Sequence, residues 1–341
     1  MQRMDTQEWN ARLHRLCAAI RVAARAALER AARAGRLEEL ARAVRQGAGD
    51  VTYALDAESE HAVEAWLLET ARERPLSLLT EDSGWRHLGP GTRGAPRELA
   101  GFDHGGPRIA LDPIDGTRNL MADLRSAWTV ASCAGPGNGV PRLAELEIGI
   151  VSEVPDSRAG RYRVLAAQRG GGCSLELRAL QGDGELERRV VRADADERVD
   201  RGYFPFFRYL PEQRPELARI EAAFFARLAE REGACVRDCY DDQYISNGGQ
   251  LVLLALGTYR MIADLRGWVA RRIGGPRVTA KPYDLAGAVL CAREAGCVVT
   301  EPGGEELDFP LDCETPVDFV GWANAATARR LGEHLRAVLG R

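Results

Sequence analysis

The sequence predicts an α+β fold, with a lobe built on a mixed or antiparallel sheet followed by a smaller lobe of alternating helices and strands. Three observations carry that prediction. Apolar residues recur at helical spacing through residues 6–45, short apolar runs punctuated by glycine and proline follow, and the last third alternates helix-like with strand-like segments. With 341 residues, 45% of them hydrophobic and 28% charged, the chain is long enough for two lobes, and the change of pattern places them at 1–195 and 196–341.

Taken in order, Trp9, Leu13, Leu16, Ile20 and Leu28 mark one face of a helical region over 6–45, with Gly35 as a break that would make it two helices. A turn at Gly47 and Gly49 leads to Asp50 and Asp56, and residues 61–74 read as a helix closed by Pro75. Residues 76–80, 109–111, 128–133 and 148–151 read as strands, with 161–167 and 188–192 as further candidates. Between the first two of these strands, residues 85–106 hold many glycines and prolines and predict a mobile loop, with His87 and His104 at its surface. The second lobe reads as helices at 215–232 and 247–256, a strand at 259–264, a helix at 284–295, strands at 297–300 and 319–323, and a closing helix at 325–339.

Composition narrows the function. A formal net charge of -4 gives no general attraction to nucleic-acid polymers or to an anionic membrane. No stretch approaches the roughly 20 apolar residues of a membrane span, and residues 1–10 lack a signal-peptide core, so a cytoplasmic location is expected. The eight cysteines are scattered, mostly among apolar neighbours, which suits reduced thiols; Cys235 and Cys239 lack the spacing of a zinc knuckle. Lys281 is the only lysine, in a chain whose basic residues are otherwise arginine.

The strongest chemical signal is Arg108-Ile-Ala-Leu-Asp112-Pro-Ile-Asp115-Gly-Thr117. A short apolar strand delivers two carboxylates three positions apart, with proline fixing the backbone between them and glycine freeing it just after. Hard oxygen ligands in this pattern suit magnesium, and Gly116 and Thr117 can open a helix whose amides face a phosphate. Glu81-Asp82 ends another apolar strand, and Asp284 enters a helix after proline with small residues behind it that permit close packing. Asp284 alone would pass for a helix cap.

Together these motifs resemble the inositol monophosphatase family of lithium-sensitive, magnesium-dependent phosphatases, in matching order from Asp50 to Ala323. The resemblance implies a layered αβαβα sugar-phosphatase-like fold and a phosphomonoesterase acting on a small phosphorylated substrate: an inositol phosphate, a sugar phosphate or bisphosphate, or a phosphonucleotide. It implies two or three Mg2+ held by Glu81, Asp112, the Ile114 carbonyl, Asp115 and Asp284, with Mn2+ as a substitute and Li+ as an inhibitor. Thr117 would orient the attacking water, with Asp56 or Asp50 as its acidic partner and Asp56 favoured. The amides of Gly116 and Thr117, with Asp115, Asp264 and Asp284, would contact substrate, and the enzyme would be a homodimer.

Several positions depart from that pattern. The acidic pair is Glu81-Asp82 rather than two glutamates, Thr52 and Asp56 stand four apart rather than three, and Tyr283 replaces a common tryptophan. The connection from Asp264 to Asp284 is long and carries Arg266, Arg271, Arg272, Arg277 and Lys281, which would rim the site and bind a second anionic group or form a solvated loop. Ser246-Asn-Gly-Gly-Gln250 would open a helix that accepts a ligand oxygen or packs tightly. Two competing readings are a haloacid-dehalogenase-type phosphatase, whose two aspartates stand two apart rather than three, and a catalytically silent binding protein of the same fold.

Overall fold

The computed structural model describes residues 4–46, 51–233, 236–276 and 278–340. Helix α1 (Thr6–Ala34) starts at Asp5, whose carboxylate accepts from the Gln7 and Glu8 amides at 3.1 and 3.0 Å. It ends at Gly35, where φ is 64° and the N–H turns back to the Ala31 and Ala32 carbonyls. A left-handed residue ends an α-helix. So 6–45 holds one long helix rather than the two expected, followed by a turn of 3-10 helix and strand β1 (Ala43–Gln46). Strand β2 (Val51–Tyr53) pairs antiparallel with β1 and runs directly into α2 (Ala54–Glu73), which begins earlier than its apolar stripe suggested.

The large sheet follows as β3 (Leu76–Thr80), β4 (Gly84–Pro90), β5 (Pro96–Glu98) and β6 (Arg108–Asp115), then the short helix α3 (Thr117–Met121). It continues with β7 (Ala127–Ala134), β8 (Leu146–Val154), β9 (Arg161–Gln168), β10 (Gly172–Ala179) and β11 (Glu185–Val191). Its order is β11-β10-β9-β8-β7-β6-β3-β4-β5, antiparallel except where β3 runs parallel to β6. Residues 85–106 are therefore not one loop: 85–90 and 96–98 are strands at the edge of the large sheet, and the remainder is turn and irregular chain. Trp85 Nε1 donates to the Leu311 carbonyl at 3.0 Å, and the rings of His87 and His104 leave the surface to meet the buried Ser77 hydroxyl at 2.8 and 2.7 Å. Strand β10 was not foreseen, because its leucine, glutamate and arginine are helix formers that only pairing along β9 holds extended.

The second half contributes α4 (Arg214–Glu232), α5 (Asn247–Ala255), β12 (Met261–Asp264), α6 (Arg266–Ile273), α7 (Pro282–Ala295), β13 (Val298–Thr300), β14 (Phe319–Trp322) and α8 (Ala325–Leu339). The three strands form a small antiparallel sheet ordered β12-β14-β13. Five layers result. Leu13, Ile20 and Trp66 of α1 and α2 cover one face of the large sheet at Leu78, Ile109 and Ile150. Leu251, Leu285 and Val289 of α5 and α7 fill the space between its other face and the small sheet. Phe224, Leu228, Leu331 and Leu335 of α4 and α8 close the far side. The described residues contain no helix long and apolar enough to cross a membrane, and their cysteines are all free.

Helix α7 lies exceptionally close to the sheet. A Cβ on Gly287 would come within 2.4 Å of the Ala131 carbonyl oxygen, and one on Gly149 within 2.5 Å of the Gly287 carbonyl oxygen. Backbone meets backbone there, so neither neighbour can yield. Gly287→Val should destabilise the protein by about 2 kcal/mol, the scale of overpacking in a core. The check is the midpoint of denaturant unfolding, and an unchanged midpoint would mean that α7 does not sit this close.

Candidate active site

Strand β6 reaches the site through a bulge. Asp112 stands opposite Val130 and Asp115 opposite Trp128, so Pro113 and Ile114 together face the single residue Thr129. In a regular strand, residues three apart point to opposite faces; the extra residue brings both carboxylates to one side. Pro113 suits the irregular position because it has no N–H to leave unpaired. Thr129 Oγ1 donates to the Pro113 carbonyl at 2.9 Å, and the Ile114 N–H turns to Asp112 Oδ1 at 2.9 Å.

Beyond the bulge the chain must turn away at once. Gly116 has φ 98°, and a Cβ there would stand 3.0 Å from the Ile245 carbonyl oxygen. Thr117 opens α3, and its Oγ1 lies 3.0 Å from Asp56 Oδ1 and 2.9 Å from the Ile114 carbonyl oxygen. Asp56 sits in the first turn of α2, where its other oxygen accepts from the Tyr53 N–H at 2.9 Å. Asp50, the other acid weighed for this pairing, lies outside the described residues.

The buried Asp115 carboxylate is seated on the N-terminus of α5. Its Oδ2 accepts from the Ser246 hydroxyl at 2.7 Å and the Gly248 N–H at 2.6 Å, and its Oδ1 from the Asn247 N–H at 3.1 Å. Ser246 Oγ in turn accepts from the Gly249 N–H at 2.9 Å. The glycine pair at 248–249 thus packs tightly and spends its amides inside the protein.

Glu81 follows β3 and is exposed in the cleft, where the Tyr283 hydroxyl bonds to it. Asp284 stands in the first turn of α7, where Oδ1 accepts from the Lys281 N–H at 3.1 Å. It is both the helix cap its sequence position suggests and a cleft residue.

Glu81, Asp112, Asp115 and Asp284 line one cleft of about 920 Å3, together with Asp56, Gly116 and Thr117. Burial, then the charges of Asp115, Asp284 and Glu81, push the Asp112 carboxyl well above the ordinary range. Burial raises Asp115 to about 6 against the pull of its hydrogen bonds. Asp284 is raised by burial and by Asp115, with Arg266 opposing.

A group of withdrawn carboxyls that repel one another calls for a cation, and an all-oxygen donor set suits magnesium or manganese. The donor chemistry therefore fits. Among the described residues, however, no three histidine, cysteine, aspartate or glutamate side chains close into a metal-holding group, so the four acids stand as walls of the cleft.

Other expected contacts are not gathered here. Asp264 is fully buried and binds Arg266 through contacts of 2.6 to 3.1 Å, so it cannot touch a substrate hydroxyl; Arg266 lines the cleft in its place. Arg271 and Arg272 lie on α6 rather than on a loop, and pair with Asp318 at 2.8 Å and Glu216 at 3.0 Å away from the carboxylates. Arg277 and Cys235 fall outside the described residues, and neither His87 nor His104 lines the cleft. Sequence reasoning missed Ser246 as a partner of Asp115, the hydroxyl of Tyr283 and Arg118, which lines the cleft beside Thr117. Only the spacing of Arg118 from Thr117 hinted at the last.

The class that this architecture defines is a fold, the one shared by inositol monophosphatases and fructose-1,6-bisphosphatases. Fructose-1,6-bisphosphatase from Leishmania major aligns with a TM-score of 0.63 at 13% identity, over 96% of this chain and 94% of its own. An inositol monophosphatase from Zymomonas mobilis aligns at 0.56 and 14%, over 98% and 99%. The extragenic suppressor protein suhB from Bartonella henselae aligns at 0.57 and 16%, over 95% and 98%. No protein-family model and no curated protein matches the sequence.

Ser246→Ala removes a donor to Asp115 and an acceptor at the start of α5. It should cost about 1 to 2 kcal/mol, the worth of a helix cap, measured as a lowered unfolding free energy. A loss within error would mean that the Asp115 carboxylate is not held by α5.

Proposed function

We propose that the chain is a magnesium-dependent phosphomonoesterase acting on a small phosphate ester. The observation that carries this reading is the convergence of Glu81, Asp112, Asp115 and Asp284 on one cleft that also holds the Thr117 hydroxyl against Asp56. Glu81, Asp112, Asp115, Asp284 and the Ile114 carbonyl would hold the divalent ions. When bound, such ions neutralise phosphoryl charge and make water a stronger nucleophile.

The chain's own residues do the rest. Thr117 has one hydroxyl proton and two acceptors, Asp56 and the Ile114 carbonyl. With the proton directed to the carboxylate, the Thr117 lone pairs face the cleft and fix a water by accepting one of its hydrogens. Gly116 and the first turn of α3 offer backbone N–H groups to the phosphoryl oxygens, since the first amides of a helix have no internal acceptor. The Tyr283 hydroxyl and the Lys281 N–H orient Glu81 and Asp284.

Phosphate release from a panel of monophosphates and bisphosphates, with and without magnesium, tests the reading. Wild type should turn over at least one ester only with the metal, and Asp112→Asn should lower kcat/KM by at least about a hundredfold, the effect of losing a principal charge-stabilising group. Thr117→Val, with a similar shape and no hydroxyl, should lower kcat by about a hundredfold. Hydrolysis that persists in Asp112→Asn, or that ignores magnesium, would contradict the assignment. In the absence of substrate, magnesium should raise Tm for wild type and much less for Asp112→Asn, because only the former gains relief from its carboxylate repulsion.

A further inference from the structure

We propose that Tyr244 is a positioning residue for Asp115: its hydroxyl, bonded to Trp128, sets where the N-terminus of α5 sits and hence where the Asp115 carboxylate points. The inference rests on the assignment of Asp115 to the divalent-ion site made above. Asp112 and Asp115 ride on one strand, but the Asp115 carboxylate takes its direction from α5, through the Ser246 hydroxyl and the Asn247 and Gly248 amides. The placement of α5 against β6 and β7 is therefore part of the geometry of the site.

Tyr244, two residues before Ser246, fixes that placement. Its hydroxyl donates to the Ser126 carbonyl at 2.6 Å and accepts from Trp128 Nε1 at 2.7 Å. Trp128 is the residue that stands opposite Asp115 in the pairing of β6 with β7. Both rings are buried. The first turn of α5 rests directly on this pair, because a Cβ on Gly249 would stand 2.5 Å from Tyr244 Cε1 and 2.6 Å from Trp128 Nε1. Only a residue without a side chain lets the helix come down this far.

The phenol ring is clamped as well. The Arg125 guanidinium lies 4.0 Å from its centre and donates to both oxygens of Asp242, at 2.7 and 3.0 Å. The Tyr259 hydroxyl donates to the same carboxylate at 2.6 Å. A guanidinium is attracted to an aromatic face, and a two-pronged carboxylate pair holds it in one orientation there. Tyr244 thus has its tip, its face and, through Asp242, the chain just ahead of it tied to residues 125–128 at the start of β7. From that anchor Ser246 follows in two residues.

The test has one readout without metal and one with it. In the metal-free protein, amide hydrogen exchange at Asn247 and Gly248 reports how firmly α5 holds Asp115. A Mn2+ titration followed by electron paramagnetic resonance reports the affinity of the site. Tyr244→Phe keeps the ring and loses the hydroxyl. It should speed exchange at both amides by about tenfold, the scale of one buried hydrogen bond. It should also weaken Mn2+ binding by about tenfold, as changes behind a metal ligand do. Gly249→Ala deletes no hydrogen bond but lifts the first turn of α5, and should move both readouts in the same direction. Tyr162→Phe controls for lost stability, since that hydroxyl accepts from Arg21 Nη2 at 2.8 Å in the core on the opposite face of the large sheet. It should leave both readouts unchanged.

Unchanged exchange and affinity in Tyr244→Phe would overturn the proposal. So would equal losses in Tyr162→Phe, which would mark a general loosening rather than a placement of Asp115. Retention of the full free-ion signal by wild type would instead bring down the divalent-ion reading itself, and this inference with it.

Discussion

The bulge at Pro113 and Ile114 is the constraint on which the site depends. Without the bulge, in a regular strand of the same residues, Asp112 and Asp115 stand three apart and would point to opposite faces of the large sheet. With it, both turn to the cleft, and the chain arrives at Gly116 in the left-handed conformation that lets α3 begin immediately. A single irregularity of backbone thus places two carboxylates, the Ile114 carbonyl and the Thr117 hydroxyl within one turn of chain.

The remaining carboxylates come from parts of the chain that meet this turn only because the layers pack closely. Glu81 arrives on β3, which runs parallel to β6 and ends beside it. Asp284 arrives on α7, which the mutual approach of Gly287 and Gly149 brings down onto the sheet. Helix α5 then seats Asp115, so the middle helical layer is at once core and site. The cost is electrostatic: partly buried acids face one another, with Arg266 as a counter-charge already claimed by Asp264. Such an arrangement stores repulsion that a bound cation would relieve.

Much of this was legible in the sequence because the informative residues are local. Proline and glycine around Asp112 and Asp115 announce an irregular strand end, the order of apolar runs announces the sheet, and the small residues behind Asp284 announce a close helix. What could not be read is tertiary. Asp264 looks like a substrate contact until Arg266, two residues on, folds back over it. The arginines at 271 and 272 look like a rim until α6 turns them toward Asp318 and Glu216. Residues 85–106 look like a loop because glycine and proline suppress the strand signal, whereas pairing with β3 holds their first stretch in the sheet and the meeting of His87 and His104 at Ser77 ties the irregular remainder to it. The same composition that marks a turn locally can be overridden by an edge that needs a partner strand.

The central claim is that the four carboxylates lining the cleft are a divalent-cation site, and a titration of the purified chain with Mn2+ followed by electron paramagnetic resonance tests it most directly. The account predicts that free-ion signal is lost to more than one Mn2+ per chain and that added magnesium restores it by competition. Retention of the full free-ion signal by folded protein would contradict it.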